Sequence, residues 1–202
     1  MTAAFEPDLS VWEAWHPGEV ARRLAAVDAP WYIAAGWALD LFRGRQTRDH
    51  EDLEIAVAAE DFDAFHRALE GFELFVVGGG VAQPLTPESL AEHHQTWVRD
   101  PATGHWRLDL MREPWEGNTW VCRRDSRISL PLSKAIACTA QGIPFGQPEI
   151  VLLFKAKEAR PKDEADFMSA LPLLDPAQRR WLAGALALAH QGHPWLRVLA
   201  AS

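Results

Sequence analysis

Cysteine is scarce in this 202-residue chain, and the two present, Cys122 and Cys138, stand far apart with no Cys-x-x-Cys pair or paired histidines beside them. That spacing excludes a disulfide framework and a Cys/His zinc site, and it suits a reducing compartment. No stretch approaches the roughly 18 consecutive apolar residues of a membrane span. The opening MTAAFEPDLSVWEAW has neither a basic start nor a continuous apolar segment, so the chain is expected to be cytoplasmic and free of the membrane. Basic charge is also short: 20 Lys and Arg against 28 Asp and Glu leave a formal net charge of −8. A nucleic-acid partner is therefore not expected, because phosphate backbones need clustered Lys and Arg. A negative field can gather cationic ligands or metal ions, although the same balance serves plain solubility. Gly78-Gly79-Gly80 does not complete a dinucleotide fingerprint, since Gln83 stands where the last glycine would be, and P-loop, Gly-x-Ser-x-Gly and His-Glu-x-x-His motifs are missing.

What is present fits a compact domain or two small ones, with 48% apolar and 24% charged residues. Apolar spacing from Val11 to Val27 predicts an opening helix interrupted or restarted at Pro17. Trp31 to Ala34 reads as a strand, Ala35-Gly36 as a small-residue turn, and Trp37 to Phe42 as a helix closed by Gly44. A strand over residues 52–57, a helix over 60–69 and a strand over 72–77 follow, then a loop region through Gly78-Gly79-Gly80, Pro84 and Pro87. Trp97 to Arg99 and Trp106 to Met111 form the arms of a predicted hairpin, with Asp109 in the second. Between Arg112 and Pro148 the signals weaken to strand candidates near Trp120 to Cys122 and Ala135 to Thr139, with a turn at Gln141-Gly142. Helices are predicted over 149–159, 162–171 and 176–190, the last with Asp175 as N-cap and Pro176 at its first position. This order predicts an α+β fold: a mixed-sheet part over residues 1–147 and a helical part over 148–202.

The chemistry gathers in carboxylates. Residues two apart on a strand point the same way, so Asp52 and Glu54 share one face while Leu53 and Ile55 face the core. If the strand bearing Asp109 pairs nearby, that side chain joins them. Like charges about 4 Å apart repel by roughly 4 kcal/mol at an effective dielectric near 20, so the cluster calls for a proton or a cation. Hard oxygen ligands favour Mg²⁺, which shares its shell with water and substrate phosphates. An Asp-x-Glu on a strand is also the pattern of a solvated face, and the spacing alone leaves both readings open. Ala35-Gly36 adds context, because small residues let backbone N–H groups at a helix start approach a phosphate.

These residues together resemble the nucleotidyltransferase superfamily of DNA polymerase β: a small-residue turn, Asp52-Leu53-Glu54-Ile55, then a distant carboxylate, Asp109. The longer run Ala35 to Asp40, Gly44-Arg45-Gln46-Thr47-Arg48 and His50 to Glu54 is similar to the aminoglycoside 2″-adenylyltransferase-like branch. So are His94 to Asp100, Trp106 to Met111, Pro148 to Lys157 and Lys162 to Phe167, which extends the likeness from about Trp31 to Leu174. The resemblance implies a nucleotidyltransferase core followed by helices. It also implies an enzyme that moves AMP from ATP to a hydroxyl of a small molecule such as an aminoglycoside antibiotic, a drug-resistance activity. Asp52, Glu54 and Asp109 would be catalytic and hold two Mg²⁺ ions, with Asp109 serving the metal or acting as general base. Ala35, Gly36, Arg45, Arg48, Lys155 and Lys157 would face the nucleotide. Ala35 departs from the branch, which has glycine there, and Glu54 stands where close relatives often have Asp. Transfer to a protein or RNA, or nucleotide binding without catalysis, are the alternatives, and the acceptor, the base and the oligomeric state stay open.

Plainer readings stand beside these roles. Lys155, Lys157, Arg160 and Lys162 also suit a solvated helix face, His50 a loop hydrogen bond, and Asp163 and Asp166 local pairing with Lys162. The ten tryptophans serve packing, although Trp97 or Trp115 could stack on a sugar or base.

Overall fold

A computed structural model describes residues 3–201. In chain order they form α1 (Pro17–Arg23), β1 (Trp31–Ile33), α2 (Ala35–Arg43), β2 (Glu54–Ala58), α3 (Phe62–Ala68), β3 (Glu73–Gly78), β4 (Val81–Pro84), α4 (Pro87–Glu92), β5 (Gln95–Arg99) and β6 (Trp106–Glu113). There follow β7 (Thr119–Val121), β8 (Ser129–Pro131), α5 (Leu132–Ala135), β9 (Ile136–Cys138), β10 (Pro144–Gly146), α6 (Pro148–Lys155), α7 (Pro161–Ala170), α8 (Pro176–Ala189) and α9 (Trp195–Ala201). The α+β class and the C-terminal run of helices are as expected. Among the described residues no helix is long and apolar enough to cross a membrane. The chain separates into two compact units that interleave in sequence: one takes the residues up to Ile33 with Asp49–Pro114, the other Ala34–Arg48 with the residues from Trp115 on. The boundary expected near residue 147 falls within the second of these.

In the first unit the strands lie in the order β4-β3-β5-β6-β2-β1. Neighbours are antiparallel except β2 and β6, which run parallel from the pair Glu54 and Asp109 to the pair Ala58 and Glu113. Parallel strands are covered on both faces, and Ile55 to Ala58 are all buried. The glycines expected to form a loop instead make a tight β3–β4 turn: Gly79 and Gly80 have φ of 60° and 81°, the positive pair that a two-residue turn of type I′ needs. The opening helix is shorter than the apolar spacing predicts. It begins at Pro17, capped by His16 Nδ1 accepting from the Gly18 N–H at 3.2 Å. The preceding segment runs extended, with Glu13 and Trp15 N–H groups donating to the Trp106 and Arg107 carbonyls. Its Trp12 joins Trp97 and Trp106 in an aromatic cluster, with Trp97 5.1 Å from Trp12 and 5.3 Å from Trp106, both edge-on. Each such ring removes roughly 200 Å² from water, about 5 kcal/mol of transfer free energy before entropy is counted.

In the second unit α2 packs on α6 and α7, α6 on α8, and α8 on α9. Asp175 caps α8 as its sequence position implies, its Oδ1 accepting from the Ala177 and Gln178 N–H groups at 2.6 and 2.9 Å. Phe167 stacks on Trp195 with ring centroids 4.1 Å apart. The weakly signalled region holds two short antiparallel pairs, β7–β8 and β9–β10, and Gly142 takes the positive φ of 79° in the turn joining the second.

Candidate active site

The parallel ladder of the first unit sets Glu54 of β2 beside Asp109 of β6. Cross-strand neighbours carry their side chains on one face. The Asp109 N–H donates to the Leu53 carbonyl at 2.9 Å, so the residue joining the two acids of the Asp-x-Glu motif is itself bonded to β6. Exposure alternates as the sequence predicts: Asp52 is exposed, Leu53 buried, Glu54 half-buried and Ile55 buried. Asp52 precedes β2 and is not part of the strand.

Asp109 is only 2% exposed. Its Oδ2 accepts from Gln95 Nε2 at 2.5 Å, whereas Oδ1 is buried with no hydrogen-bond partner among the described residues. Burial raises this carboxyl well above the ordinary carboxylate range. The neighbouring Glu54 and Asp52 charges add to the rise, while Gln95 and, more loosely, the Trp97 indole N–H oppose it. A buried acceptor without a partner, beside two like charges, is the local condition a divalent cation relieves. Among the described residues no three Asp, Glu, His or Cys side chains form a ready-made cation cage. Mg²⁺ does not require one, since waters and substrate phosphates complete its octahedron. The all-oxygen donor set fits that ion.

The remaining candidates belong to the second unit. Ala35 opens α2 with a φ of 48°, the left-handed region where a methyl group costs roughly 1–2 kcal/mol. The N-terminus of α2 has no side-chain cap. The segment after the helix is tied back to it: Asp40 Oδ1 accepts from Thr47 Oγ1 at 2.5 Å and from Arg43 Nη1 at 3.3 Å. Arg45 stands exposed, and Arg48 Nη2 lies 3.8 Å from Asp166 Oδ2. Lys155 is enclosed, its ammonium 2.7 Å from Asp163 and 3.1 Å from Asp166. Burial works to raise Asp163, but hydrogen bonds from Arg160 and Lys155 outweigh it and bring the carboxyl down to about 2. Lys155 and Arg160 donate to Asp163, in place of the expected Lys162, which as an adjacent residue on a helix does not face it. Lys157 remains exposed, 3.6 Å from Glu158.

Trp97 and Trp115, considered for stacking on a ligand, are 9% and 5% exposed and serve packing. Gln95 was not among the residues singled out from the sequence. It lies in the run His94 to Asp100 that shares the resemblance, and the alternation of Gln95-Thr96-Trp97 places Gln95 and Trp97 on one strand face. Only the β5–β6 register, pairing Trp97 with Asp109, shows that this face carries the acid.

Residues 18–78 match the family model described as aminoglycoside-2″-adenylyltransferase, a span that holds Ala35, Gly36, Arg45, Arg48, Asp52 and Glu54. The fold resembles lincomycin-bound lincosamide antibiotic adenylyltransferase LnuA, with a TM-score of 0.55 and 17% identity, covering 78% of this chain and 95% of that one. It also resembles ANT(2″)-Ia in complex with adenylyl-2″-tobramycin, with a TM-score of 0.57 and 16% identity over 85% and 97% of the two chains. No curated protein matches the sequence significantly. The resemblance to the aminoglycoside 2″-adenylyltransferase-like branch thus holds in sequence over residues 18–78, and the fold is that of antibiotic adenylyltransferases over most of the chain.

Proposed function

We propose that this chain is a Mg²⁺-dependent nucleotidyltransferase that moves AMP from ATP to a hydroxyl of a small cationic acceptor of the aminoglycoside type. The observation that carries the reading is the unpartnered, buried Oδ1 of Asp109 beside Glu54 in the β2–β6 register, within a chain whose Asp-x-Glu segment matches the aminoglycoside-2″-adenylyltransferase model. Asp52, Glu54 and Asp109 would hold the metal. When bound, Mg²⁺ neutralises charge on the transferring phosphoryl group and its leaving pyrophosphate.

The chain's own residues divide the rest of the work. Asp109, whose carboxyl burial and its acidic neighbours raise well above the ordinary range while no cation is bound, is the candidate base for the proton of an attacking hydroxyl. In the second unit, the uncapped start of α2 at Ala35-Gly36 offers backbone N–H groups of the kind that bind phosphate, and exposed Arg45 and Lys157 offer positive charge. Arg48 and Lys155, which the resemblance also assigns to the nucleotide, lie against Asp166 and act on it indirectly, by fixing the elements that carry the others.

Pyrophosphate release with ATP, Mg²⁺ and a panel of aminoglycosides and lincosamides tests the proposal. Release should require both an acceptor and the divalent ion, weaken with added salt for a cationic acceptor, and vanish in Asp52→Asn. Equal ATP affinity with and without a chelator would overturn it.

A further inference from the structure

The Asp109 carboxyl is held by one strong donor. Gln95 lies on β5 two residues from Trp97, the direct neighbour of Asp109, so its side chain reaches diagonally across the ladder to Oδ2 at 2.5 Å. Met111, directly across from Gln95, brings no donor, and the Trp97 indole nitrogen is buried without a well-formed bond of its own. The terminal torsion of an aspartate is broad, so nothing intrinsic to Asp109 fixes the plane of its carboxyl group relative to Glu54.

Resting on the reading of this site as a metal-dependent transferase, we propose that Gln95 is a positioning residue: by holding Oδ2 of Asp109 it commits Oδ1 to the divalent cation shared with Asp52 and Glu54. Groups that hydrogen-bond to metal ligands fix ligand orientation, and their loss typically weakens metal binding about 10- to 100-fold. A Gln95 that merely satisfied a buried carboxyl would behave differently, because its removal would lower the stability of the metal-free chain and leave metal affinity unchanged.

Mn²⁺ binding followed by electron paramagnetic resonance, together with Tm in the absence of metal, separates the two roles. Gln95→Met keeps the bulk and removes the donor; Gln95→Asn keeps the amide but is one methylene too short to reach. Both variants should stay folded without metal and bind Mn²⁺ about 10-fold more weakly or worse, with turnover at saturating Mn²⁺ recovering towards the native value. Affinity within twofold of native in either folded variant would overturn the role of Gln95, as would collapse of both variants without metal. If the native chain binds Mn²⁺ and Asp52→Asn does not, the site reading stands whatever Gln95 does. If the native chain binds no Mn²⁺, the site reading fails and this inference fails with it.

Discussion

Glu149 is 6% exposed at the second position of α6, and its Oε2 accepts from Gln178 Nε2 at 2.9 Å. Burial raises its carboxyl from the ordinary 4.5 to about 7; its own backbone N–H and Gln178 oppose the rise, and Asp175 adds to it. Between those two values the folded chain holds about one proton more than the unfolded chain, so its stability falls as pH rises through that window. At about 1.4 kcal/mol for each tenfold change in proton affinity, the interval from 4.5 to about 7 caps the loss at about 3 kcal/mol. Glu149→Gln preserves the shape and an oxygen that accepts from Gln178, but it cannot ionise. Native and variant should therefore unfold alike at pH 4.5, and by pH 8 the variant should lead by up to about 3 kcal/mol, roughly 6–12 °C in Tm for a chain of this size. Differential scanning calorimetry of both proteins from pH 4.5 to 8 measures the gap directly, and other titrating groups cancel in the difference. A gap that does not change with pH would refute the reasoning, because it would mean Glu149 is charged in the folded chain at no cost.

Asp109→Asn replaces a buried carboxyl whose ionisation burial and two neighbouring acids oppose, so it should raise Tm in metal-free buffer while cutting turnover about 10²-fold or more; a normal rate would remove Asp109 from the chemistry. Ala35→Gly relieves a positive φ and should stabilise the chain by about 0.5–1 kcal/mol and lower KM for ATP, as denaturant titration and steady-state kinetics would show. Lys155→Ala strips the ammonium from two carboxylates with side-chain exposures of 1% and 8% and should cost about 3 kcal/mol, whereas Lys157→Ala should change stability by less than about 0.5 kcal/mol and raise KM for ATP.

The parts of this molecule that were legible in the sequence are those set by local rules. Period-two alternation placed Leu53 and Ile55 inside and turned Asp52 and Glu54 the other way, and Asp175-Pro176 marked the start of α8 to the residue. Where two local rules compete, apolar spacing alone does not decide the element. The apolar spacing from Val11 carried a helix past His16, but Pro17 is better suited to open a helix than to sit within one, and the residues before it found carbonyls on β6. Likewise Gly78-Gly79-Gly80 carried a turn signal whose meaning depended on the strands either side, and Val81 to Pro84 is too short to announce itself.

Pairing between distant residues was not legible, and it decides what the site residues do. Lys155 and Lys157 look alike in sequence, two basic residues at a helix end, yet one is enclosed by Asp163 and Asp166 and the other is exposed. The difference arises because α7 brings its carboxylates to α6, a contact that no spacing within either helix encodes. Gln95 was hidden for the same reason. A polar residue on a strand has no chemistry until the register says what stands opposite, and a slip of one residue would have turned Gln95 and Trp97 away from Asp109 altogether. The acids themselves stood out because their residue type is costly wherever they are buried, so their presence on an otherwise apolar strand asks for an explanation before any partner is known. An amide carries no such cost at a strand end, and its role at Asp109 follows only from the carboxyl oxygen it occupies and the one it leaves free.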